Sequence, residues 1–119
     1  MRGYRDLVVW QKSKNFCINI YKLTSKFPEA ERFGLMSQLR RAAVSIPSNI
    51  AEGQARRSTN EFVRFLSIAL GSLAEAETQI MIARRLDYLN EEQMNELLAL
   101  SAEVGRILNG LANSITSNN

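Results

Sequence analysis

Four polar side chains fall on one helical face, Ser45, Ser48, Asn49 and Glu52, and an arginine pair flanks them on each side, Arg40–Arg41 and Arg56–Arg57. A hydroxyl near a carboxylate suggests nucleophilic chemistry, and clustered guanidinium groups suggest phosphate binding. The first needs a base. The chain contains no histidine, which removes the commonest general base and the commonest metal ligand. Its single cysteine, Cys17, builds neither a thiolate zinc site nor an intramolecular disulfide. Most carboxylates lie in helical patterns beside lysine or arginine, as on solvated helix faces. The polar stripe therefore reads as structural, satisfying backbone groups, and no catalytic residue, metal or cofactor is expected. Anion binding is the chemistry that remains.

The cations are unevenly placed. Residues 1–57 hold eleven Lys/Arg against four Asp/Glu, giving +7, and residues 58–119 hold four against eight, giving −4; the sum is the net +3. Such asymmetry suits a basic surface for a polyanion, and equally suits basic and acidic helices lying side by side. The candidate nucleic-acid contacts are Arg40, Arg41, Arg56, Arg57, Arg64, Lys12 and Lys14. Aromatic residues make up only 8% and fall mostly on core stripes, so phosphate contact is expected rather than base stacking. One of Arg40 and Arg41, about 100° apart on a helix, is expected to pair with Glu75 or Glu77, or with an acidic helix of a neighbouring subunit.

Helices must position these groups. Gly and Pro number only six and two in 119 residues, which disfavours a turn-rich β fold. Apolar periodicity predicts helices over about 6–25, 35–52, 59–86 and 91–115 in a single domain, 1–119. The first carries an apolar arc of roughly 200°, twice the ~100° of an ordinary surface helix. Its excess fits either a central position in the bundle or a second interface with another chain, for which Trp10 and Tyr21 are the candidate anchors, and Ser13 and Lys14 interrupt it. In the second, Leu39, Ala42, Ala43, Ile46 and Ile50 stay in phase across Pro47, so a continuous, kinked helix is expected, with Gly53 as its left-handed cap. Ser58 with Glu61 and Asn90 with Gln93 are capping boxes opening the third and fourth helices. Phe62, Leu66, Ala69, Leu73, Ala76, Ile80 and Ala83 form a four-three seam, Met94, Leu97, Ser101, Val104, Leu108, Leu111 and Ile115 keep that rhythm in the fourth helix, and Val9, Phe16 and Ile20 share a stripe of the first. Short connections make neighbours antiparallel: an all-α, up-down-up-down four-helix bundle with a kink near Pro47. No segment reads as a signal peptide or a membrane span, so the expected location is cytoplasmic, without membrane contact.

The segments "DLVVWQKS" at Asp6–Ser13, "IYKLTSKFP" at Ile20–Pro28, "RRAAVSIPSNIAEG" at Arg40–Gly53 and "FLSIALGSLAEAETQI" at Phe65–Ile80 resemble the four-helix-bundle family named for proteins encoded in 23S ribosomal RNA intervening sequences. The resemblance implies a ring-like homopentamer and no settled biochemical activity. By fold-level analogy it also points to the accessory variability determinants of diversity-generating retroelements, basic pentameric barrels that bind RNA and a reverse transcriptase. Two functions are thus expected to compete: a homo-oligomer that binds RNA through a basic surface, and a scaffold for a partner protein with no nucleic-acid role. The loop arginines Arg56 and Arg57 are expected on one rim of any cyclic assembly.

Overall fold

A computed structural model describes residues 3–117. A 3-10 turn, Tyr4–Asp6, leads into α1 (Val8–Thr24). A second, Glu29–Glu31, precedes α2 (Leu35–Ala55), followed by α3 (Thr59–Arg85) and α4 (Glu91–Ser117). The predicted boundaries hold within about three residues, the main difference being that α2 runs on through Gly53. The fraying expected at Asn118 and Asn119 lies outside the described residues.

Each helix packs on two neighbours in cyclic order, α1 on α2 and α4, α3 on α2 and α4, within a body of 46 × 23 × 20 Å. Cross-helix contacts run in opposite senses along each adjoining pair. Arg40 reaches back to Thr24; Ser45 meets Ser72 while Gly53 lies against Phe65; Glu77 meets Ser101 while Gly105 lies against Leu73. Between α1 and α4, Lys12 pairs with Glu103, and Leu7 shares a groove with Leu111.

The core is the predicted set of stripes: Val9, Phe16 and Ile20; Leu39, Ala42, Ala43, Ile46 and Ile50; Leu66, Ala69, Leu73, Ala76, Ile80 and Ala83; Leu97, Val104 and Leu108. Two fully buried serines join it. Ser13, read above as an interruption of the apolar arc, is fully buried and donates to the carbonyl of Trp10 at 3.0 Å. Ser101 is fully buried and hydrogen-bonds the carboxylate of Glu77. A helix tolerates serine there because the hydroxyl bonds locally instead of being stranded.

α2 passes through Pro47 without a break. Asn49 donates to the Ser45 carbonyl at 2.7 Å and to the Ser45 hydroxyl at 2.9 Å, and that hydroxyl lies 2.8 Å from the Ser72 hydroxyl on α3. The polar stripe is thus half a latch between helices. Its other half, Ser48 and Glu52, is exposed.

Gly53 does not cap α2. It is helical and buried, and a Cβ built on it would lie 2.5 Å from Phe65 Cβ. The left-handed position falls instead on Arg57, at φ 56. The sequence rule fails here because a glycine near a helix end serves a close helix contact as readily as a cap. Asn90 and Gln93 form a complete capping box, with reciprocal bonds of 2.7 and 2.9 Å. The box at Ser58 is half made: its hydroxyl accepts from Glu61 N–H at 3.3 Å, while the Glu61 carboxylate turns to Arg64.

Glu31 caps α2 from outside the helix, and its carboxylate also binds the connection between α3 and α4. Oε1 accepts the Leu35 N–H at 2.9 Å and Oε2 accepts the Tyr88 hydroxyl at 2.9 Å. These bonds hold the Glu31 carboxyl below its usual range and push the Tyr88 hydroxyl up. A depressed carboxylate adds stability above its ordinary pKa and loses it as pH falls through the lowered one. The parent should therefore melt above Glu31→Gln at neutral pH, and the gap in Tm should close as the pH falls below about 4. A pH-independent gap would mean that the charge contributes nothing.

α3 is long and apolar enough to cross a membrane by length and composition alone, although the sequence reads as having no membrane span. Its apolar side chains are divided between the core seam and the exposed Ile68, Met81 and Ile82, and 44% of its most apolar stretch is buried in the bundle. A core helix that also carries a few exposed apolar side chains explains that composition.

Candidate nucleic-acid interface

The seven predicted cations do not form one patch. Lys12 lies on the α1–α4 side, 3.4 Å from Glu103. Lys14 stacks over Trp10 at 4.9 Å. Arg40 and Arg41 lie towards the start of α2, and Arg56, Arg57 and Arg64 gather around the α2–α3 connection at the other end of that helix.

At that connection most of the charge is compensated. Arg56 bonds Glu52 at 3.0 Å, lies 4.0 Å from Glu61, and stacks on Phe65 at 5.3 Å. Arg64 donates to Glu61 at 3.1 Å and stacks on the same ring at 4.8 Å. The Arg64 hydrogen bond chiefly holds the Glu61 carboxyl below its usual range, with Arg56 adding a weaker attraction. These are exposed pairs that local geometry favours at small energy. Arg57 differs. It is exposed and makes no ion pair among the described residues.

The pairing expected for Arg40 or Arg41 with Glu75 or Glu77 does not form within the chain. Arg40 instead donates to Thr24 Oγ1 at 2.8 Å and to the Tyr21 carbonyl at 3.1 Å, with its guanidinium 4.6 Å over the Tyr21 ring. It ties the end of α1 to α2, sharing the Tyr21 carbonyl with the Ser25 N–H, which bonds it at 3.2 Å. Glu77 is taken by Ser101, and Glu75 accepts from Gln79 at 3.3 Å. Arg41 is exposed, with no ion pair among the described residues.

The proposed interface anchors also divide. Trp10 is half-buried, its ring edge-on to Tyr4 at 5.1 Å. Tyr21 is 42% exposed beneath Arg40. Two features escaped the periodicity: the exposed apolar side chains of α3, and Phe33, a lone aromatic at a turn, 87% exposed. The high hydropathy of α3 as a whole signalled the first. Nothing in the sequence signalled the second, because exposure at a turn has no period.

No group of three metal-ligating side chains gathers among the described residues. Cys17 is half-buried, and desolvation raises its thiol pKa, which makes it a poor nucleophile. The chemistry on offer is cationic and aromatic recognition.

No curated protein matches the chain. It is similar to the crystal structure of a protein of unknown function from the S23 ribosomal protein family of Bacteroides thetaiotaomicron, with 30% identity and a TM-score of 0.79 over 88% of this chain and 98% of that one. A family model for the 23S rRNA-intervening sequence protein matches residues 5–110. That match takes in α1, α2, α3 and most of α4, and the chain belongs to the 23S rRNA-intervening sequence protein family.

Proposed function

We propose that the protein is a non-enzymatic homo-oligomer, a pentamer by the resemblance noted above, that binds RNA through cations at its exposed connections. Arg57 carries the binding half of this reading. A non-glycine residue at φ 56 costs about 1 kcal/mol relative to glycine. Backbone strain on an exposed, unpaired cation favours a role for that cation.

The apolar faces support assembly. α1 leaves Val8, Ile18 and Tyr21 exposed, and α3 leaves Ile68, Met81 and Ile82 exposed, with Leu86 just beyond its end. α1 and α3 are diagonal in the bundle, each flanked by α2 and α4. Two different apolar faces on opposite sides suit a heterologous contact, the kind that closes into a ring. The same faces would also fit a different protein, which is what favours the scaffold reading.

Light scattering at micromolar concentration tests assembly, and RNA retention across a salt series tests binding. An oligomeric mass is expected, reduced by Trp10→Ala because that substitution removes an aromatic anchor. RNA retention is expected to fall steeply with salt as condensed counterions compete. A monomeric mass would refute the assembly. A parent that retains no RNA at low salt would leave the scaffold as the better reading.

A further inference from the structure

Phe33 is the most exposed large apolar side chain among the described residues, and it is rigidly mounted. The Arg32 N–H bonds the Glu29 carbonyl at 3.1 Å and the Gly34 N–H bonds the Glu31 carbonyl at 3.0 Å. The Glu31 carboxylate then ties Leu35 and Tyr88 to the same turn. The ring therefore stands in water on a fixed backbone. Arg32 lies 5.5 Å from its centre. A groove of ≈ 310 Å³ separates it from the clamped Tyr21–Arg40 stack, with Arg41 on its wall.

Two aromatic rings and three arginines thus line one groove. Arg32 is engaged by Glu29 at 3.5 Å and Arg40 by α1, which leaves Arg41 as the groove's guanidinium without an ion pair among the described residues. An acidic peptide would use the charge and leave the Phe33 face idle. A duplex would offer phosphates but hide its base faces. An unpaired nucleotide presents both a planar π face and an anion.

We propose that this groove binds one unpaired nucleotide of RNA, its base stacked on Phe33 and its phosphate held by Arg41. The inference rests on the reading of the protein as an RNA binder and adds a site at the opposite end of α2 from Arg57. It also replaces the expectation of phosphate contact alone.

The test uses the full chain with a single-stranded oligouridine and a fully paired RNA duplex, each titrated across a salt series. Phe33→Ala should weaken oligouridine binding about tenfold, leave its salt slope unchanged, and leave duplex binding unaltered. Arg41→Gln should weaken binding and make the slope shallower by about one. Phe33→Trp should restore affinity, and its emission above that of Trp10 should be quenched as oligouridine binds. Phe33 is exposed, so folding should survive, as a melting curve will establish. If Phe33→Ala binds oligouridine like the parent, the groove is not the site while the RNA reading stands. If the parent binds neither RNA, both fall. If Phe33→Ala instead lowers the oligomeric mass, the ring belongs to a subunit contact and the proposal is overturned.

Discussion

Replacing Gly53 by alanine should lower the stability of the bundle by about 2 kcal/mol, although alanine is the better helix former by up to ~1 kcal/mol. The added methyl would lie 2.5 Å from Phe65 Cβ, 3.1 Å from its Cγ and 3.3 Å from Phe62 Cδ1. A Cβ is fixed by its own backbone, so no rotamer change relieves the first contact. α2 and α3 must move apart or one must bend, and overpacking of this kind costs about 1–3 kcal/mol, sometimes more. The clash lies at the most extensive helix–helix contact in the molecule, α2 against α3. For a domain of this size the loss corresponds to roughly 5–10 °C in Tm.

Gly71 supplies the control. It also lies inside a helix, but a Cβ there would meet nothing within 4 Å. Gly71→Ala should raise stability by about 0.5–1 kcal/mol, because glycine's entropic penalty is removed and nothing is displaced. Opposite signs for the same substitution in two helices isolate the packing effect, and thermal melts of the two variants read it directly. A neutral or stabilising Gly53→Ala would mean that the helices accommodate a methyl freely.

The contrast also marks what the sequence could reveal. Apolar period gave the core seams of α2, α3 and α4, because a side chain that faces the core must recur every three or four residues. It could not distinguish Gly53 from a cap, since both uses put a glycine near a helix end. It placed Arg40 correctly on α2 but misjudged its partners: proximity to Thr24 and Tyr21 arises from how α1 and α2 meet, which no local pattern encodes. The same holds for Ser13, a polar residue that becomes core because the backbone supplies its bond; Ser101 stands on the four-three seam of α4, but its bond to Glu77 arises only from how α3 and α4 meet. Charge asymmetry was visible at once. Its division into paired cations at Arg56 and Arg64 and, among the described residues, ones without an ion pair at Arg41 and Arg57 needed the three-dimensional arrangement of the carboxylates.

That division sharpens the mutational test of the rim. Arg56→Glu combined with Arg57→Glu should reduce RNA affinity about tenfold or more and make its salt dependence shallower. For a single strand the logarithmic slope should fall by about 0.7 for every phosphate that the rim ceases to neutralise. The effect multiplies with the number of subunits that touch one RNA. The double variant is not a clean probe, however. Arg56 lies between Glu52 and Glu61, so its reversal gathers three carboxylates and forfeits two ion pairs. Exposed pairs contribute little, about 0–1 kcal/mol, so the fold should survive, but a modest drop in Tm is expected. Arg57→Gly separates the effects. Glycine relieves the left-handed backbone and should raise stability by about 0.5–1 kcal/mol while removing the unpaired guanidinium. A more stable protein that binds RNA less tightly, with a shallower salt slope, cannot be explained by damage to the fold. Equal RNA binding by Arg57→Gly and the parent at every salt concentration would remove Arg57 from the interface, and the strain at that position would need another cause.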